Sequence, residues 1–272
     1  MRSIVGVVRL IHPAPAAAVV ALSAALGAIL TAQAGGVPGW RLALTTLAVA
    51  GSQVLTGALN DWADRDRDRI AQPSKPIPFG LVTPTLALVV AGAGAAIQVA
   101  ASLPLGPAPL LLGVAASASA VAYDLSLSRT PFSVVPYLVS FGLLPLWIAT
   151  GVGVGVERVA AAPLIVGPFA AAAHLANALR DFDADALVGS RNLAQAIGRV
   201  GAFRLAWGLA VGVGLVVGAA LLIAGPVAPV SLSLGLIGLG AVVQGIAGQQ
   251  RLWGGMLVAA VCWTAAWALA TA

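Results

Sequence analysis

Residues 41–69 read RLALTTLAVAGSQVLTGALNDWADRDRDR, an apolar run that passes without a break into Asn60-Asp61-Trp62-Ala63-Asp64-Arg65-Asp66-Arg67-Asp68-Arg69. The first part is long enough to cross about 30 Å of hydrocarbon as a helix. Within the charged part, Asn60, Asp64 and Asp68 stand at i, i+4 and i+8 and so share one helical face. A second run ends the same way, in His174-Leu175-Ala176-Asn177-Ala178-Leu179-Arg180-Asp181-Phe182-Asp183-Ala184-Asp185, and Asn177, Asp181 and Asp185 repeat the register. Each triplet aims one carboxamide and two carboxylates in a single direction. Such hard oxygen donors suit a Mg2+ ion, with coordination positions left for diphosphate oxygens. Two facing triplets would form a Mg2+-diphosphate clamp.

Outward from these blocks the chain is almost without charge. Of 272 residues 60% are hydrophobic and 8% charged, and the mean hydropathy is +1.00, which excludes an ordinary soluble domain. Apolar stretches at about 14–34, 41–63, 83–103, 107–124, 132–151, 159–180, 200–224, 229–247 and 252–271 predict nine membrane-spanning helices. The expected fold is all-α and polytopic, with these helices around a central cavity and a cap on the cytoplasmic side. The chain forms one domain, read as two pseudo-repeated four-helix halves, about 14–124 and 132–247, plus a last helix. A site between such halves is a recurring arrangement.

Basic residues collect on the cytoplasmic side of membrane proteins. In the nine-helix reading, 12 of the 14 Lys and Arg residues share one side, leaving only Arg41 and Arg158 on the other. That side is therefore expected to be cytoplasmic and to carry the N-terminus. Eight of the nine acids, all but Glu157, lie there too. Acids contribute little to topology, so their placement calls for a different reason. Arg2, Arg9 and the run ending in Ala32-Gln33-Ala34 imitate a secretory signal, but the run is long and carries Pro13 and Pro15, so it is expected to be retained. The single Cys262 excludes an internal disulfide, and with two histidines a Cys/His zinc site is not credible. The pI of about 10.7 comes without a basic stripe interleaved with aromatics, which excludes a nucleic-acid surface.

Pro73, Pro76 and Pro78 stop the second span and predict a short extended loop offering Lys75 near the carboxylate face. Asp61, Arg65 and Arg69 point about 100° away and are expected to pair with neighbours or headgroups. Asp183 falls opposite the second triplet and is expected to be solvated or paired. After the fourth run, Tyr123-Asp124-Leu125-Ser126-Leu127-Ser128-Arg129 supplies a further cation for a diphosphate, although Arg129 also suits an ordinary cytoplasmic loop. His174 and Gln53 are candidate cavity residues; for His174 a buried neutral ring bonded to a neighbouring helix is an equal reading.

These blocks, in this order, resemble the UbiA superfamily of intramembrane prenyltransferases. Asn60-Asp61-x-x-Asp64-x-x-x-Asp68 matches its NDxxDxxxD motif, and Asn177-x-x-Arg180-Asp181-x-x-x-Asp185-x-x-x-Gly189 its second aspartate motif. Lys75-Pro76-Ile77-Pro78-Phe79-Gly80 is similar to R-P-[IL]-P-S-G, with Lys for Arg and Phe79 for Ser. In style, the first motif is closest to the chlorophyll synthase and lycopene elongase branch. The resemblance implies that Asn60, Asp64, Asp68, Asn177, Asp181 and Asp185 hold Mg2+ against an isoprenyl diphosphate, that Lys75, Tyr123 and Arg129 meet the diphosphate, and that a lipophilic acceptor captures the allylic carbocation. A terpene cyclase of the same superfamily, closing the cation on its own chain, is the alternative. Trp147, Phe141, Tyr137 and Phe169 are the aromatics available to stabilise it. A transporter is the third reading, disfavoured because no charge falls near the middle of a span.

Overall fold

The computed structural model describes residues 2–223 and 229–270. It is 85% helical, with no strand among the described residues. The helices are α1 Arg2–Leu10, α2 Pro13–Gln33, α3 Gly39–Ala71, α4 Pro84–Ser102, α5 Pro107–Leu125, α6 Val135–Val152, α7 Pro163–Arg180, α8 Phe182–Leu187, α9 Leu193–Ile223, α10 Pro229–Val243 and α11 Gln249–Ala270. Five of them open on proline, which leaves the first turn's unpaired N–H unmissed and fixes φ for the helix. At α4 the Thr83 hydroxyl also accepts from Leu86 N at 3.1 Å, capping the helix.

Eight helices, α2 to α6 and α9 to α11, are long and apolar enough to cross a membrane. The sixth expected span is α7; its 18 residues carry His174, Asn177 and Arg180 and it is not among the eight. The ends of the spans expected at 200–224 and 252–271 lie outside the described residues. The protein is an all-α polytopic membrane protein. Ahead of the expected spans, α1 adds a short helix with Ile4, Val5 and Val8 exposed and Leu10 buried.

Within lipid, apolar burial gives little drive for helix association, so close backbone contact takes its place. α3 and α4 meet at Gly51 and Gly94, where a Cβ on Gly51 would stand 2.6 Å from Gln98 N and one on Gly94 2.5 Å from Leu55 N. α9 packs by a stripe of Ala202, Ala206 and Ala210, all fully buried, continued by Val213, Val217 and Leu221. Gly198, at φ 76° and ψ 164°, bends α9 before this stripe begins.

The loop after α3 departs from the extended path that its prolines suggested. It is a series of tight turns, with Lys75 N bonded to Gln72 O, Phe79 N to Lys75 O and Leu81 N to Pro76 O. Gly80, at φ 77°, turns the chain towards α4 in a conformation that costs glycine little.

Candidate active site

One cavity of about 540 Å3 opens between the helices. α3 runs unbroken through Ala71, so Asn60, Asp64 and Asp68 keep their common face and all three line this cavity. Asn177, Asp181 and Asp185 line it from the other side. Those three do not share one continuous helix: α7 ends at Arg180, Asp181 sits at the junction with φ −95° and ψ 9°, and α8 begins at Phe182. The Asp185 N–H still donates to Asp181 O at 2.9 Å, so the step from 181 to 185 stays helix-like across the break. Gln195 Nε2 on α9 donates to Phe182 O at 2.6 Å, and Asn192 Nδ2 to Asp185 Oδ2 at 2.7 Å, fixing α8 from outside.

The carboxylates are met by cations. Lys75 Nζ lies 2.9 Å from Asp68 Oδ2 and 3.1 Å from Asp61 Oδ1. Burial alone would pull its ammonium down, but Asp61 and Asp68 together outweigh that and hold it above the usual lysine value of 10.5. Asp61 is 1% exposed and pairs with His12 Nε2 at 3.2 Å as well as with the Lys75 ammonium that meets Asp68. His12 is the sole non-glycine residue with positive φ, at 48°, among the described residues, and it also lines the cavity. Arg129 Nη2 donates to Asp64 Oδ1 and to Ala63 O, each at 3.0 Å; Arg129 itself is not in the cavity wall, although Ser128 is. Asp183 pairs with Arg199 at 2.6 Å on the exposed side. Burial holds the Asp185 carboxyl above its ordinary range, against the opposing pull of Arg67 and the Asn192 hydrogen bond.

Three residues that periodicity did not single out belong to the wall. Asp124 Oδ1 accepts from Asn60 Nδ2 at 3.1 Å while its buried Oδ2 has no hydrogen bond. Arg67 contacts both triplets, and Asn192 secures Asp185. For Arg67 the signal was present: Asn60, Asp64 and Arg67 stand at i, i+4 and i+7.

Deeper in, the wall becomes apolar and aromatic, with Tyr123, Tyr137, Phe141, Leu144 and Trp147 lining it, beside Gln53 and His174. Tyr137 stacks on Phe141 at 6.0 Å and on His174 at 4.3 Å, and Tyr123 meets Tyr137 edge-on at 5.2 Å. His174 Nε2 contacts Ser133 Oγ at 3.3 Å, so the ring is both cavity wall and a tie from α7 to the turn that precedes α6. Phe169 packs instead against Trp263 in the core formed by α7, α9 and α11, and does not reach the cavity.

Among the described residues, no three Asp, Glu, His or Cys side chains converge closely enough to hold a metal by themselves. This donor set still fits Mg2+. That ion takes oxygen ligands, keeps several waters, and is held by one or two carboxylates plus substrate phosphates rather than by an all-protein cage.

The comparisons agree with this architecture. No curated protein matches the chain significantly. Among solved structures, a digeranylgeranylglyceryl phosphate synthase is 15% identical with a TM-score of 0.78, covering 100% of this chain and 99% of that one. A UbiA homologue from Archaeoglobus fulgidus bound to GPP and Mg2+ is 17% identical with a TM-score of 0.72, covering 98% and 100%. An apo UbiA homologue from Aeropyrum pernix K1 is 19% identical with a TM-score of 0.74, covering 91% and 95%. At these identities the likeness is one of fold. The family model for UbiA prenyltransferases matches residues 20–253, which takes in both triplets and most of the cavity wall: the chain belongs to the UbiA prenyltransferase family.

Proposed function

We propose that this protein carries out Mg2+-dependent transfer of an isoprenyl group, within the membrane, from an isoprenyl diphosphate to a lipophilic acceptor. The observation that carries the proposal is the polarity gradient of one cavity, from two Asn/Asp triplets at its mouth to Tyr137, Phe141, Leu144 and Trp147 in its depth. An isoprenyl diphosphate has the same gradient, a highly charged head on an apolar tail. The Archaeoglobus fulgidus homologue, solved with GPP and Mg2+ and with DMAPP and Mg2+, supports the reading.

In this proposal Asn60, Asp64, Asp68, Asn177, Asp181 and Asp185 hold the metal. When bound, Mg2+ neutralises the diphosphate as a leaving group, so that the allylic C–O bond ionises more readily. Lys75 offers a fixed ammonium at the mouth, and Arg129, through Asp64, completes a preorganised field for the developing charge. Tyr123, which lines the same cavity, is assigned to the diphosphate with them. Diphosphate leaves with both electrons of the C–O bond, the acceptor supplies an electron pair to the allylic carbocation, and a proton is lost from the acceptor. The mouth faces the cytoplasm in this reading, because 12 of 14 basic residues lie on its side of the spans. The chain acts as one domain whose two halves each contribute a triplet.

A second reading, a membrane terpene cyclase, is favoured by the aromatic wall. The faces of Tyr137, Phe141 and Trp147 would stabilise a cation that closes on its own chain. Purified protein with Mg2+ and geranyl, farnesyl or geranylgeranyl diphosphate, with no acceptor, separates the two. Prenylated adduct formed only after a lipid extract is supplied supports transfer. A cyclic hydrocarbon or terpene alcohol without acceptor supports cyclisation, and no Mg2+-dependent diphosphate release in either condition overturns both.

A further inference from the structure

Arg67 belongs to neither triplet, yet it is the one cation among the described residues paired to both. Its Nη1 donates to Asp64 Oδ1 at 3.1 Å and its Nη2 lies 3.5 Å from Asp185 Oδ1. All three side chains are mostly shielded, at 23%, 15% and 24% exposure. A guanidinium therefore bridges α3 and α8 at the mouth of the cavity, on the carboxylates assigned above to the metal.

We infer that Arg67 competes with the metal for Asp64 and Asp185, gives them up where the metal is bound and then pairs with the diphosphate of the donor. The inference rests on the assignment of the triplets to metal. Mg2+ would draw on carboxylate lone pairs, and Arg67 is paired with one oxygen of each carboxylate, Oδ1 of Asp64, which it shares with Arg129, and Oδ1 of Asp185. The two cations compete for the same acceptors. A displaced Arg67 need not travel far for a new partner, because it lines the same cavity and its planar fork matches a phosphate as well as a carboxylate. It stands near the polar end of α3, about one turn from Ala71, so its reorientation crosses no hydrocarbon.

A passive strap and an exchangeable counter-cation differ in sign. Removing a strap loosens both halves and weakens metal and diphosphate binding together. Removing a competitor tightens metal binding in the absence of diphosphate and weakens diphosphate binding in the presence of metal.

The test uses Mn2+ as a spectroscopic stand-in for Mg2+, titrated by electron paramagnetic resonance into detergent-purified protein, and inorganic diphosphate titrated calorimetrically in saturating Mg2+. For Arg67→Gln we expect Mn2+ to bind roughly three- to tenfold more tightly and diphosphate roughly tenfold more weakly. Arg67→Lys, which keeps the charge but loses the fork, should move both in the same senses by less, and serves if the Gln variant is unstable. Arg69→Gln, at an exposed residue paired with Asp66 outside the cavity, should move neither. Unchanged or weakened Mn2+ binding in both Arg67 variants overturns the inference while leaving the triplets' assignment standing. Absence of Mg2+-competed Mn2+ binding to the native protein overturns both.

Discussion

Asn60 donates its carboxamide to Asp124 across 3.1 Å, so the first residue of the first triplet is oriented from α5, a helix that contributes nothing to either triplet. The bond also fixes the amide with its oxygen turned away from Asp124. We expect Asp124→Leu to release Asn60 and lower turnover about 10- to 100-fold, the usual effect of losing an outer partner of a metal ligand. A Mg2+ titration of turnover should show a raised half-saturation point for Asp124→Leu and a smaller change for Asp124→Asn.

Asp64→Ala and Asp181→Ala each remove a carboxylate from one side of the cavity. Each should reduce Mg2+-dependent diphosphate release about 10²- to 10³-fold. The double variant should fall little below the weaker single, because groups that act as a unit are not additive. Fully additive losses would show that the two sides act separately.

Lys75→Met leaves Asp61 and Asp68, at 1% and 5% exposure, without their ammonium. Breaking a buried pair in this way costs about 3–5 kcal/mol, to be read as a lowered unfolding midpoint in detergent. The pH dependence has a definite sign. The lysine is held above its usual 10.5, so its contribution is complete below that value and is lost only as pH rises through the higher folded-state value. The gap between native and variant midpoints should stay constant through neutral pH and narrow only in strong alkali; narrowing near neutrality would show that Lys75 is not the charged partner.

Gly51→Ala should destabilise the protein by about 1–3 kcal/mol, since the added methyl meets backbone atoms of α4 at 2.6 and 2.7 Å and neither helix can yield locally. Gly92→Ala, on the same pair of helices, meets nothing within 4 Å and should be neutral or slightly stabilising. Thermal midpoints of the two variants measure the difference directly.

The spans were legible because lipid leaves the backbone few options, and apolar runs of that length between prolines have one good conformation. The first triplet was legible because α3 continues through it unbroken. The second was read in the right register but on the wrong support: the helix stops at Arg180 without a Gly or Pro to mark the place. What holds α8 comes from Asn192 and Gln195, beyond the reach of local periodicity. Asp124 was missed for a related reason, since its partner Asn60 is 64 residues away, whereas Arg67 shared the first triplet's face and only its pairing with Asp185, 118 residues on, was out of local reach. Glycine spacing was an ambiguous guide. Gly94 marks a helix contact, whereas its neighbour Gly92 faces open space, and Gly214 meets Trp263 while Gly212 and Gly218 meet nothing.

The 33 residues of α3 make a single rod about 50 Å long. Hydrocarbon accounts for about 30 Å of that length, so the rest stands in the headgroup layer and beyond it. In the proposed reaction, the same rigid body that is anchored in the bilayer fixes the height at which the first triplet would meet a donor's head. An isoprenyl diphosphate with its tail in the hydrocarbon would hold its charged head at about that depth. A change of bilayer thickness by one helical turn would shift the catalytic layer against the substrate's natural depth, making lipid chain length a direct control on capture.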